Sequence, residues 1–122
     1  MPNWGGGKIV NITSTAANKA GFDSYNVAKS GVATFSQGLA IALAPYNICV
    51  NCVAPGEALT SAEMSSYYNK TGDNYYFELQ PNHRFTRVED VASAVLFLAS
   101  DQANNITGNS IMVDGGWSIN NK

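Results

Sequence analysis

A chain of 122 residues with 45% apolar content is long enough to bury a core of its own, near the lower end of ordinary domain size. Seven Lys and Arg against nine Asp and Glu leave a net charge of −2. The charges are interspersed, with no basic run or basic-aromatic stripe, which sets nucleic acid aside as a partner. No apolar run approaches the ~18 residues of a membrane span, and "MPNWGGGK" has no apolar stretch that would act as a signal peptide. The expectation is a cytoplasmic protein without membrane contact. The sequons at Asn11, Asn69 and Asn105 would matter only after secretion.

In chain order, "KIVNITS" (8–14) is a β-rich apolar run, followed by a loop and a long helical pattern from about Ser24 to Ala44 that ends at "APYN". A second buried strand, "ICVNCVA" (48–54), breaks at Pro55-Gly56. Its Cys49 and Cys52 stand three apart on a strand and so point to opposite faces, which speaks for two buried thiols and against a dithiol pair. A polar, aromatic-rich stretch follows from 57 to 84, with Tyr67, Tyr68, Tyr75, Tyr76 and Phe77 and weak helical periodicity. His83, within it, has no second ligand-type residue at metal spacing and reads as a loop residue. From Thr86 the pattern sharpens. Thr86 and Glu89 have capping-box spacing, and Val88, Val91, Val95 and Leu98 recur at helical intervals. "SIMVDGG" (110–116) closes as a short strand and glycine turn. Strand, helix, strand, helix, strand implies an α/β fold, a parallel sheet with covering helices in one unit.

On the long helix, Ala28, Val32, Phe35, Leu39 and Ala42 share one apolar face, bordered by Tyr25 and Lys29. A neighbouring side carries Val27, Gly31, Thr34, Gly38 and Ile41. The first face is expected to cover the sheet, and the second to accept another helix at close range, one that a second subunit would supply.

Side chains four apart on a helix have Cβ atoms roughly 5 to 6 Å from each other, so the ammonium of Lys29 reaches the phenol of Tyr25. A positive charge beside a phenol favours its deprotonated form and makes it a proton donor and acceptor near neutral pH. In a parallel α/β sheet, ligands bind beyond the carboxyl ends of the strands. Ser14 lies at that end of the first strand, Tyr25 begins the next helix, and Pro55-Gly56 ends the second strand. A serine hydrogen-bonding a carbonyl oxygen while a tyrosine moves its proton is what acid–base chemistry on a carbonyl or alcohol requires.

"GKIVNITS", "YNVAK", "VNCVAPG", "EDVASAVLFLAS" and "ITGNSIMVDGG", in this order, resemble the C-terminal half of a short-chain dehydrogenase/reductase. With their loops these segments cover nearly the whole chain. The resemblance implies a partial Rossmann-like, doubly wound parallel sheet comprising its last three strands and their helices. It also implies Tyr25 as catalytic acid/base, Lys29 as the residue that eases loss of the Tyr25 proton and holds the cofactor ribose, and Ser14 as the residue that orients the substrate oxygen. Pro55, Gly56 and the backbone at Ala58 would contact the nicotinamide end of NAD or NADP, with the Thr60 hydroxyl near its carboxamide or phosphates. Asn51 would be a structural residue of its strand. The "DGG" ending favours the compact reductase branch over the extended epimerase-dehydratase branch. Residues 57–84 would cover a small carbonyl or alcohol substrate, and members commonly associate into homo-oligomers through the long helix.

Two departures stand out. The serine-to-tyrosine interval of eleven residues is about two shorter than is usual in the family, with Thr13 and Thr15 as fallback hydroxyls, and Cys49 stands where arginine is frequent. More consequentially, the half that carries the phosphate-binding glycine loop is not in this sequence. The glycines of "WGGGK" precede a strand, whereas such a loop follows a strand and opens a helix. Two readings follow: the catalytic half of an NAD(P)-dependent oxidoreductase, inactive in isolation, or a non-enzymatic truncated remnant or oligomerisation module.

Overall fold

The computed structural model describes residues 5–15, 23–56, 58–59 and 80–120. Its elements are β1 (Gly7–Ile12), α1 (Ser24–Leu43), β2 (Ile48–Pro55), β3 (Ala58–Leu59), β4 (Thr86–Arg87), α2 (Val88–Ala99) and β5 (Ser110–Val113). β1, β2 and β5 form one parallel sheet with β2 in the centre, and β3 and β4 form a separate two-residue parallel pair. The parallel α/β order expected from the sequence is therefore present. The small pair was not foreseen, since two-residue strands have no periodicity to read.

β2 carries the core. All its residues except Pro55 are buried, as befits a central strand covered on both faces. Gly7 to Ile12 pair in register with Ile48 to Val53, and Cys52 to Pro55 with Ser110 to Val113. One polar residue interrupts this apolar strand. Asn51 is buried, its Nδ2 donates to the Ile106 carbonyl at 2.8 Å, and its Oδ1 accepts from the Asn109 N–H at 3.1 Å. A buried amide is tolerated because both ends are satisfied, and it pins the turn before β5 to the sheet. Asn51 is thus a structural residue, as the resemblance implied. Cys49 and Cys52 are both free thiols, and the Cys49 Sγ meets the Asn104 carbonyl at 3.4 Å.

α1 begins where Asp23, in extended conformation, accepts the Asn26 N–H at 2.8 Å, and it runs to the 3-10 turn Ala44–Tyr46 and the left-handed Asn47. Its sheet-facing side differs from the expectation. The buried residues are Ser36 and Ala40, with Ile9, Leu39 and Leu43 packed around Ala40, Ile48 and Val50. Phe35, assigned above to the sheet face, is 66% exposed, and Val32 is exposed too. The cause is a hydrogen bond that an apolar count overlooks. The Ser36 hydroxyl accepts from Asn11 Nδ2 at 2.8 Å and donates to the Val32 carbonyl at 2.7 Å, so a satisfied polar residue faces inward. The side bearing Val27, Gly31, Thr34, Gly38 and Ile41 is exposed, as are Ala28, Val32, Phe35 and Ala42 of the apolar stripe beside it, with only Leu39 of that stripe half-buried.

By length and composition Ser24–Tyr46, with a mean hydropathy of 1.2, is also apolar enough to cross a membrane, which amends the expectation drawn from uninterrupted runs. Here it covers β2 with one stripe.

α2 starts one residue later than the Thr86/Glu89 spacing suggested. Arg87 is the capping position, and its N–H donates to the Asp90 carboxylate at 2.8 Å. Leu98 is fully buried, whereas Leu96 and Val88 are exposed.

Candidate active site

The strands of the main sheet are parallel, so their carboxyl ends share one rim, and Ser14, Lys29, Pro55 and Gly56 lie at or beside it. β1 ends at Ile12. Thr13 continues alongside β2 by donating its N–H to the Val53 carbonyl at 2.9 Å, and half-buried Ser14 follows between buried Thr13 and Thr15. Burial sets the two fallback hydroxyls apart from Ser14.

Tyr25 sits in the first turn of α1, placed there by the Asp23 cap, and is 55% exposed. Lys29 lies one turn on. Its Nζ donates to the Ile12 carbonyl at 3.4 Å and stands over the Tyr25 ring, 5.7 Å from the centroid. The ammonium is therefore tied to the end of β1 and to the tyrosine together, within the range of a cation–π contact. An ammonium has three donors, so this geometry leaves capacity for hydroxyl oxygens of a ligand.

Pro55 ends β2 opposite Val113, and the Gly56 N–H donates to the Val113 carbonyl at 3.0 Å. Gly56 has a steric reason as well. A Cβ there would lie 2.8 Å from the Asp114 Cβ. Asp114 itself is buried, its two carboxylate oxygens accepting from the Gly116 and Ser118 N–H groups at 3.0 and 2.9 Å. Ala58 enters β3, paired with Thr86 of β4. Thr60, the aromatic cluster and most of the 57–84 stretch lie outside the described residues.

The other rim holds Gly5 to Gly7. The Gly7 N–H donates to the Asn47 carbonyl at 3.1 Å, and Asn47 Nδ2 to the Gly5 carbonyl at 2.8 Å. These glycines close a turn at the amino end of β1, as expected of a stretch that is no phosphate loop. Among the described residues the carboxyl rim thus brings together Ser14, Tyr25, Lys29, Pro55 and Gly56, and the glycine turn lies at the opposite rim.

Sequence reasoning missed the segment that returns to α2. Arg84 forms a two-pronged ion pair with Asp90, at 2.8 and 3.2 Å. The Arg84 guanidinium and then the Arg87 N–H hold the Asp90 carboxyl below the usual carboxylate range. The same contact raises Arg84. An open groove of about 250 Å³ lies between these two side chains, Asn82, Thr86 and the Val113–Gly115 turn. The signal was present in "RFTRVED", as an arginine six residues before an aspartate, but loop spacing carries no fixed geometry.

A parallel sheet flanked by helices, with a tyrosine and a lysine one turn apart at its carboxyl rim, defines the second half of a dinucleotide-type α/β domain. The chain belongs to the short-chain dehydrogenase/reductase family: the family model described as enoyl-(acyl carrier protein) reductase matches residues 1–118. An NAD-dependent glycerol dehydrogenase of Listeria innocua is 40% identical over 118 residues, covering 94% of this chain and 46% of the relative. A short-chain type dehydrogenase/reductase structure from Mycobacterium ulcerans superposes with a TM-score of 0.86 at 35% identity, over 98% of this chain and 44% of that one. A gluconate 5-dehydrogenase from Burkholderia cenocepacia, solved with NADP and tartrate, gives 0.82 at 28% identity, over 97% and 47%. The chain spans less than half the length of these proteins.

Proposed function

We propose that these residues form the catalytic half of an NAD(P)-dependent oxidoreductase that interconverts a small carbonyl compound and its alcohol. The observation that carries this reading is Lys29, whose ammonium joins the end of β1 to the Tyr25 ring. When bound, the nicotinamide donates or accepts the hydride. Tyr25, at the exposed start of α1, delivers a proton to the carbonyl oxygen in reduction and removes it from the alcohol in oxidation. Lys29 stabilises the negative charge that develops on the tyrosine oxygen and offers its remaining donors to the ribose hydroxyls. Ser14, half-buried on the same rim, fixes the substrate oxygen. Pro55, Gly56 and Ala58 would hold the nicotinamide end, and the Thr60 hydroxyl would serve its carboxamide or phosphates.

The test is Tyr25→Phe in the intact enzyme. Removing the transferable proton lowers turnover by at least the ~10² to 10⁴ typical of general acid–base catalysis, while Lys29→Ala weakens both cofactor affinity and turnover. A Phe variant that keeps most of its activity removes Tyr25 from the mechanism.

A second reading, a non-enzymatic association module, is favoured by the breadth of exposed apolar surface on α1, where Val27, Phe35 and Ile41 all face outward. Cofactor titration of the intact protein separates the two readings, since the module binds no dinucleotide.

A further inference from the structure

The ion pair between Arg84 and Asp90 lies outside the proposed acid–base machinery, yet it closes a set of contacts that reaches it. Asp90 is the third residue of α2, and its carboxylate holds the Arg84 fork and the Arg87 N–H together. Arg84 also donates to the Phe85 carbonyl at 3.2 Å, which fixes the backbone just before β4. On its amino side the segment is seated on the end of β5, where the Asn82 N–H donates to the Gly115 carbonyl at 3.3 Å. On its carboxyl side β4 pairs with β3, Thr86 against Ala58 and Arg87 against Leu59. One acceptor links both parts: the Val113 carbonyl takes the Gly56 N–H at 3.0 Å and the Thr86 hydroxyl at 3.4 Å. Residues 80–87 are thus fastened to residues 55–56 and 58–59 and to the same strand end, and Asp90 anchors the outer side of the pair.

We infer that Arg84 and Asp90 are positioning residues, whose two-pronged ion pair holds β4 in place and through it the Pro55-Gly56-Ala58 segment. The role rests on the proposed function only where that segment is said to support a nicotinamide; the mechanical link stands apart from it. A helix cap alone needs one oxygen of Asp90, to accept the Arg87 N–H. The fork occupies both oxygens. Arg84→Gln therefore removes the clamp and leaves the cap, and Asp90→Ala removes both.

Amide hydrogen exchange on the full chain reads the link without reference to activity. Arg84→Gln is expected to speed exchange at Ala58, Leu59 and Thr86 by about two- to fivefold, the scale of an exposed ion pair lost, while the Arg87 amide, held by the cap, keeps its rate. Amides of the β2 core, Val50 and Val53, keep their rates and show that the fold is intact. Arg84→Lys, which restores charge without the fork, falls between the two. In the intact enzyme the same Gln variant should raise KM for the cofactor by about fivefold, with kcat changed by less than about twofold. Unaltered exchange at Ala58 and Leu59 in Arg84→Gln, with only the first turn of α2 loosened by Asp90→Ala, overturns the proposal and leaves Asp90 a helix cap. Faster exchange with an unchanged KM upholds the clamp and counts against the nicotinamide role of residues 55–58.

Discussion

Gly56 and Asn51 show how much a single position in this chain is asked to do. Gly56 ends the central strand where the backbone must come within contact of Asp114, and a methyl group there would sit 2.8 Å from the Asp114 Cβ and 3.3 Å from its Cα. Neither atom belongs to the flexible end of a side chain, so the two strand ends must part. Gly56→Ala is expected to cost about 1 to 3 kcal/mol, the usual scale of overpacking. It should also disturb the proposed cofactor segment, because the Gly56 N–H is bonded to Val113. Urea unfolding of the intact protein measures the first effect and cofactor titration the second. Asn51 stands inside the sheet with both ends of its amide in use. Asn51→Ala removes the partner of the half-buried Ile106 carbonyl and of the Asn109 N–H, which lies on an exposed residue, and the expected loss is about 1 to 2 kcal/mol, the scale of two hydrogen bonds whose partners water reaches in part. An unfolding midpoint within error of the parent would show that water replaces the amide without penalty.

At the scale of elements, α2 is anchored by charge at its start and by Leu98 near its end. The sign of its pH dependence follows from Asp90, whose carboxyl is held below its ordinary range. A carboxyl depressed in the folded state binds its proton more readily when unfolded, so the anchor is fully effective above the unfolded value, near ~3.9, and fades as pH falls through the lower folded value. The stability difference between parent and Asp90→Asn should be constant from neutral pH down to about 5, then close at lower pH. Chemical denaturation at several pH values tests this, and a gap unchanged at pH 2 would mean that the carboxylate charge contributes nothing. Elements of this kind mark the limit of what the sequence makes legible. β2 and the strand-helix order were plain, because apolar runs and helical spacing report burial directly. The closeness of Tyr25 and Lys29 was legible because one helical turn fixes their distance. The sheet-facing stripe of α1 was misjudged because Ser36 is buried by two hydrogen bonds whose partners, Asn11 and the Val32 carbonyl, carry no weight in an apolar count. The β3 and β4 pair and the Arg84 fork join residues across a loop, where spacing implies no geometry at all.

Taken as a whole, the 122 residues carry the proposed contacts for one end of a dinucleotide, and the outer surfaces bear on what the chain does alone. With no strand-loop-helix phosphate site among the described residues, calorimetric titration of these 122 residues with either cofactor is expected to show no binding at ordinary concentrations; tight stoichiometric binding would mean that a phosphate site exists elsewhere in the chain. The same surfaces govern association. β1 has β2 on one side, and no strand among the described residues on the other, so backbone donors and acceptors remain along that edge. α1 presents Val27, Phe35 and Ile41, the last 79% exposed, beside two glycines that permit close approach. An added Cβ at Gly31 or Gly38 meets nothing within 4 Å. That emptiness makes Gly38→Arg a clean probe. Within one chain the arginine clashes with no neighbour and replaces a poor helix former with a good one, a gain of up to about 1 kcal/mol in helix propensity. Any loss of association must then come from the charged side chain standing in a helix-to-helix contact. The purified chain is expected to form oligomers or aggregates, and Gly38→Arg to shift it toward smaller species that are no less helical. Light scattering across a dilution series, with circular dichroism on the same samples, provides the measurement. A parent chain that stays monomeric at high concentration would show that neither the β1 edge nor the α1 face is adhesive, and an arginine variant of unchanged size would place the contact on the strand edge alone.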